Sequence, residues 1–211
     1  MIFKLLDNEI IFPDTTLAEP DGLLAIGGDL SVERLTLAYQ SGIFPWFSEG
    51  DPIMWFAPRE RCVIFPAQLK ISKSMQKVLK ADTFLVTVNK AFDKVIENCA
   101  QTPRVGQDGT WITDDMQKAY LKMHQNGLAH SVEVWQNDKL VGGLYGIKIG
   151  DVFCGESMFS LVSNASKIAL IYLCQQTDFE LIDCQLPNEH LLSLGAEMID
   201  RETYMSLLNN Q

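Results

Sequence analysis

The sequence predicts an α+β chain in which a small N-terminal α/β domain packs against a larger C-terminal domain built on one sheet. Three observations predict it: composition changes near residue 60, regular alternation of helical and strand periodicity follows, and three short strands run consecutively between residues 131 and 158. With 211 residues and 47% hydrophobic content, the chain can bury a full core and a smaller attachment.

Residues 1–62 are rich in Pro, Gly and aromatics. Their one clear helix has Ser31 as N-cap, Glu33 in its first turn, Leu35 and Ala38 on its apolar face, and Gly42 as terminator. The flanking segments Asp21–Leu30 and Gly42–Phe47 are too apolar for solvated loops and should pack against something. Pro58 and Pro66 flank a junction, which divides the chain into 1–62 and 63–211.

The second part reads element by element. A helix near 72–80 precedes a strand from Phe84 to Val88, and Phe92, Val95, Ile96 and Cys99 then recur at helical spacing, with Asn89 as the expected cap. Thr113 caps the next helix, which has Met116, Ala119, Tyr120 and Met123 on one face and closes at Gly127. Strands at 131–135, 140–147 and 152–158 are joined by turns at Gln136–Lys139 and Gly150–Asp151. A helix starting at Asn164–Ser166 is so apolar along Ile168–Leu173 that it must be deeply buried. A strand from Phe179 to Cys184, a short helix ended by Gly195 and a helix over Tyr204–Leu208 complete the order.

Composition excludes several classes. The N-terminus is interrupted by Asp7 and Glu9 before a signal-peptide core forms, and no apolar run approaches membrane-spanning length, which points to the cytoplasm. Five scattered cysteines without a Cys-x-x-Cys pair, and three isolated histidines, argue for reduced buried thiols and against a metal site. A net charge of −10 repels nucleic acid at long range, although a local basic patch can still bind it.

The element order resembles the GNAT acyltransferase fold, in which the strands before and after the central helix splay apart and the acyl donor sits in the gap at that helix's N-terminus. By that resemblance, Glu156–Ser160 and Asp183–Gln185 face one cleft. More specific blocks run in order along nearly the whole chain: Asp21–Leu30, Gly42–Phe47, Gly109–Thr113, His130–Trp135, Gly155–Ser160, Asn164–Lys167 and Leu181–Gln185. Together they resemble the signature blocks of bacterial leucyl/phenylalanyl-tRNA-protein transferases.

The resemblance implies transfer of Leu or Phe, and less readily Met, from aminoacyl-tRNA to the α-amine of proteins beginning with Arg or Lys, marking them for the N-degron pathway. It implies no cofactor, since the donor is already an activated ester. Asp183 and Gln185 match the family's catalytic positions, and two residues apart on a strand they would share a face. Trp46, Trp111, Leu144, Met158, Leu173 and Ile182 match the apolar donor pocket, with Glu156 and Ser160 as its polar members. Taken singly, each of those apolar residues reads as ordinary core.

Lys73, Lys77 and Lys80 fall on one helix face, with Lys90 and Lys94 soon after, and are candidates for tRNA phosphate contacts. Asn164 and Lys167, at the start of the apolar helix, are candidates for the terminal nucleotide. No dimer seam is evident, so a monomer is expected. The chain departs from the family pattern in its short C-terminus, in lacking an aromatic near Leu173 or Thr177, and in carrying Leu144 where some members have Met.

Two other readings fit less well. An acetyl-CoA-dependent N-acetyltransferase would present an Arg/Gln-x-x-Gly-x-Gly/Ala turn before the central helix, and Leu161–Ala165 is not one. A non-catalytic adaptor for Arg or Lys N-termini would not explain an apolar pocket with two tryptophans beside a candidate base.

Overall fold

The computed structural model describes residues 2–103, 110–176 and 178–209. Gly109, which opens one signature block, and Thr177, where the family resemblance leads one to expect an aromatic, lie outside them, as do Met1 and Gln211. The N-terminal part comprises β1 (Phe3–Leu5), β2 (Leu23–Gly27), α1 (Val32–Gln40), β3 (Phe44–Pro45) and β4 (Met54–Phe56), and its sheet has the order β1-β2-β4-β3. Then follow β5 (Glu60–Ile64), α2 (Lys73–Lys80), β6 (Leu85–Val88), α3 (Phe92–Gln101) and α4 (Asp114–Gln125). The rest is β7 (Ala129–Gln136), β8 (Lys139–Ile149), β9 (Val152–Ser160), α5 (Ala165–Gln176), β10 (Leu181–Gln185), α6 (Glu189–Ser193), β11 (Glu197–Asp200) and α7 (Arg201–Asn209).

A seven-stranded sheet with the order β11-β5-β10-β9-β8-β7-β6 carries the second part. Its pairs are antiparallel except β9 with β10, which run parallel across α5. This α+β arrangement, with one large sheet in the second part, is the one the sequence predicts. Two of its strands, β5 and β11, were not expected. β5 pairs with both β10 and β11, and a boundary between 62 and 63 falls inside it.

Local chemistry explains most element boundaries. The side chains of Ser31, Ser72 and Thr113 accept from the backbone N–H groups of Arg34, Met75 and Met116, so the first turns of α1, α2 and α4 are capped, α1 and α4 by the residues their sequences predict. α3 is different. Asn89 sits at φ +58° and accepts from Ser131 N at 2.9 Å instead of capping that helix. Glu133, fully buried on β7, takes over: its carboxylate accepts from Lys90 N and Ala91 N as well as from the hydroxyls of Thr87 and Ser131. A buried carboxylate with four donors at a helix N-terminus needs no cation beside it.

Two apolar cores flank the large sheet. One lies toward α1, α3, α4 and α7, and holds Trp55, Tyr39, Tyr120, Tyr145 and Tyr204. The other lies beneath α2, α5 and α6, and holds Met75, Ile168, Leu170, Leu173, Ile182 and Leu191. α5 reaches the sheet because Gly142 on β8 has no side chain: a Cβ there would lie 2.4 Å from that of Ala165.

Candidate active site

The parallel pairing of β9 and β10 ends at Cys154 opposite Asp183. Beyond that pair β9 continues to Ser160 while β10 ends at Gln185, and the strands part. A cavity of about 700 Å³ occupies the gap. Leu144, Met158, Leu170, Leu173 and Ile182 give it an apolar inner wall belonging to the α5 side of the sheet, and Phe44, Trp46 and Trp111 wall it from the other side. The opening therefore passes between the strands rather than lying on one face. It touches the middle of α5, not that helix's first turn as the fold resemblance led one to expect. Trp46, 37% exposed, stands at its edge against the ring of Phe56.

Glu156 supplies the polar end of the cavity. Tyr120 donates to its Oε2 at 2.9 Å, and the hydroxyl of Tyr39 is hydrogen-bonded to that of Tyr120. The two phenols lie in the apolar core and bring α1 and α4 to β9. Burial pushes the Glu156 carboxyl up to about 7; the tyrosine hydrogen bonds oppose the rise and the charge of Asp183 adds to it. Both phenols are held well above their ordinary pKa, first by burial and then by the Glu156 charge, so they remain donors at neutral pH.

Asp183 and Gln185 do not project together. The pairing of β10 with β5 slips between them, and Gln185 has φ +56°, a left-handed conformation that costs a non-glycine residue about 1–2 kcal/mol. Strand alternation, which would place both on one face, is broken by this bulge. Gln185 turns into the cavity, where its Nε2 lies 3.4 Å from Glu156 Oε1. Asp183, 2% exposed, stays in the core: Oδ1 accepts from Gln185 N at 2.9 Å, Oδ2 accepts from the Tyr204 hydroxyl at 2.9 Å, and Arg61 Nε lies 3.7 Å away. The cavity lining includes Gln185 but not Asp183.

Of the other expected pocket residues, Trp46, Trp111, Leu144, Met158, Leu173 and Ile182 all line the cavity. Ser160 does not. It is exposed on the far stretch of β9, donates to Val162 O at 2.8 Å and accepts from Ser166 N at 3.3 Å, which ties the strand end to the start of α5. Lys73, Lys77 and Lys80 are exposed on α2, as are Lys90 and Lys94. Asn164 precedes α5 at φ +72°, and Lys167 lies near enough to His190 to join burial in lowering that imidazole's pKa. His190, Asn188 and Glu189 extend the cavity beyond Gln185.

The residues that sequence reasoning missed are Tyr39, Tyr120, Arg61 and Tyr204. One signal was available: a tyrosine on an otherwise apolar helix face, as Tyr120 is beside Met116, Ala119 and Met123, must find a partner for its hydroxyl. Among the described residues, no group of three His, Cys, Asp or Glu side chains is placed to hold a metal ion, and no helix is long and apolar enough to cross a membrane.

Comparison with known proteins identifies a family for the chain. Residues 63–209 match the family model described as leucyl/phenylalanyl-tRNA protein transferase, and residues 28–59 match its N-terminal domain. A leucyl/phenylalanyl-tRNA–protein transferase of Flavobacterium johnsoniae is 56% identical over 97% of this chain and 98% of its own length. One from Psychromonas ingrahamii is 55% identical, covering 96% of this chain and 87% of the relative. A GCN5-related N-acetyltransferase from Kribbella flavida aligns with a TM-score of 0.39 at 10% identity, over 77% of this chain and 58% of that one. The two family matches and the full-length relatives show that this chain belongs to the leucyl/phenylalanyl-tRNA protein transferase family.

Proposed function

We propose that the chain transfers Leu or Phe, and less readily Met, from aminoacyl-tRNA to the α-amine of proteins beginning with Arg or Lys, acting as a monomer in the cytoplasm and marking its substrates for N-degron degradation. The observation that carries the reading is the cavity itself, whose apolar inner wall ends at the paired side chains of Glu156 and Gln185. The wall suits a Leu, Phe or Met side chain, and the polar end suits the ester carbonyl and the attacking amine.

The reaction is ester aminolysis. The neutral amine nitrogen attacks the ester carbon, the carbon–oxygen bond to the ribose breaks, the nitrogen gives up one proton, and the departing ribose oxygen takes up a proton to become a hydroxyl. An N-terminal α-ammonium, whose unperturbed pKa is about 7.7–8.0, must first lose a proton. Gln185 donates through Nε2 toward Glu156, which leaves Oε1 to accept an N–H of the amine and orient it. Glu156, with a pKa of about 7, is suited to receive the amine's proton near neutral pH, a role worth about 10²–10⁴-fold. Asp183 acts behind the site, by holding the Gln185 backbone.

The exposed lysines of α2 are the candidate phosphate contacts of the tRNA, with Asn164 and Lys167 toward its terminal nucleotide. The net charge of −10 favours a cationic acceptor terminus. Given tRNA charged with labelled Leu or Phe and a peptide starting with Arg, the purified protein transfers label to the peptide without ATP or added metal. Acetylation from acetyl-CoA in place of that transfer overturns the reading.

A further inference from the structure

We propose that Tyr204, on the C-terminal helix α7, is a positioning residue for Gln185 and acts through Asp183. The inference rests on the assignment of Gln185 to the reacting amine. Its hydroxyl lies at the fork where the cleft opens: it donates to Asp183 Oδ2 at 2.9 Å and lies 3.9 Å from Cys154 Sγ, and those two residues are the last parallel pair before β9 and β10 part.

The Asp183 carboxylate has two tasks that compete. Oδ1 accepts the Gln185 N–H, which supports the left-handed backbone that turns this side chain into the cavity. Arg61 Nε is also near Oδ1, at 3.7 Å, and the Arg61 Nη1 is buried without a hydrogen-bond partner. A guanidinium with an unpartnered N–H favours a carboxylate rotated to meet it through two oxygens. The Tyr204 hydroxyl opposes that rotation by fixing Oδ2. Without it the carboxylate is free to turn to Arg61, the Gln185 N–H loses its acceptor, and the bulge relaxes toward ordinary strand geometry with the amide out of the cavity.

Helix α7 is anchored well enough to serve as the reference. Arg201 donates through its backbone N to Arg59 O at 2.9 Å and through its side chain to Ala57 O and Pro58 O, while the Arg61 guanidinium carbon lies 4.5 Å from the Tyr204 ring centroid. These contacts do not use the hydroxyl, so Tyr204→Phe keeps them while removing the hydrogen bond to Asp183 and the weaker hydroxyl contacts with Cys154 and Arg61.

A double-mutant cycle on transfer to an Arg peptide tests the proposal, using the full chain. Tyr204→Phe lowers turnover about tenfold, the effect of losing a hydrogen bond to a charged group, and leaves the KM for aminoacyl-tRNA within twofold. In a Gln185→Ala background the same change alters turnover less than twofold. Leu208→Val, which loosens α7 from a buried position away from the cleft, supplies a destabilised control that keeps parent turnover below its melting temperature. Amide hydrogen exchange at Gln185, faster in Tyr204→Phe than in the parent or in Leu208→Val, reads the backbone directly. It gives an answer even if the parent fails to transfer Leu or Phe, which would sink the functional reading instead. Full turnover in Tyr204→Phe, an equal loss in both backgrounds, or unchanged exchange at Gln185 overturns the proposal.

Discussion

Replacing Glu156 with Gln keeps the shape of the cleft and removes the charge that titrates near pH 7. Transfer by the parent therefore rises with pH through about 7 as Glu156 ionises, and it rises again as the acceptor amine deprotonates. Glu156→Gln loses 10²-fold or more of its turnover, in line with the loss of a general base, and keeps only the second rise. A pH–rate profile for each protein on one peptide checks this. Tyr120→Phe removes a hydrogen bond to the Glu156 carboxylate, so the lower limb of the profile moves to higher pH. Stability moves in the opposite sense. A carboxyl whose folded pKa lies above its unfolded value of 4.5 favours the folded state at low pH, and this stabilisation fades as pH rises to about 7. The Glu156→Gln variant shows a flatter melting temperature between those limits. Trp46, Trp111, Leu144, Met158, Leu173 and Ile182, the apolar residues the resemblance singles out, line one cavity. The division of labour between Asp183 and Gln185 was not legible in the sequence, because a single bulge reverses a side chain and leaves no mark in strand periodicity.

At the scale of elements, α5 depends on the bare backbone of Gly142. Gly142→Ala forces its Cβ against Ala165 and costs about 1–3 kcal/mol, and adding Ala165→Gly recovers part of the loss. Thermal or denaturant unfolding of the single and double variants measures both numbers. The helices were legible because their signals are local: a Ser or Thr cap, a stripe of apolar residues and a closing glycine. α3 lost its expected cap because the donor-accepting group comes from Glu133, more than 30 residues away in the chain. β5 and β11 escaped for a similar reason. Glu60–Ile64 lies between two prolines and reads as a junction, and Glu197–Asp200 has four residues and little apolar character, so their strand structure comes from each other and from β10.

For the whole molecule, acid and base are separated in use. The net charge of −10 opposes tRNA at long range, so on the proposed reading the α2 lysines carry the phosphate contacts and binding weakens with salt. Changing Lys73, Lys77 and Lys80 together to Ala reduces the slope of log K against log salt by about 2–3, roughly 0.7–0.9 for each phosphate no longer neutralised, as filter binding or fluorescence titration would measure. An unchanged slope removes α2 from the tRNA surface. The strand that runs across the expected boundary between residues 62 and 63 was not legible in the sequence. β5, made early in translation, lies between β10 and β11 and has no partner until residues 181–200 have emerged from the ribosome. Arg61 waits with it for Asp183, so the cleft is among the last features to form. A copy whose synthesis stops before those strands has no working site, so half-made chains cannot acylate their neighbours.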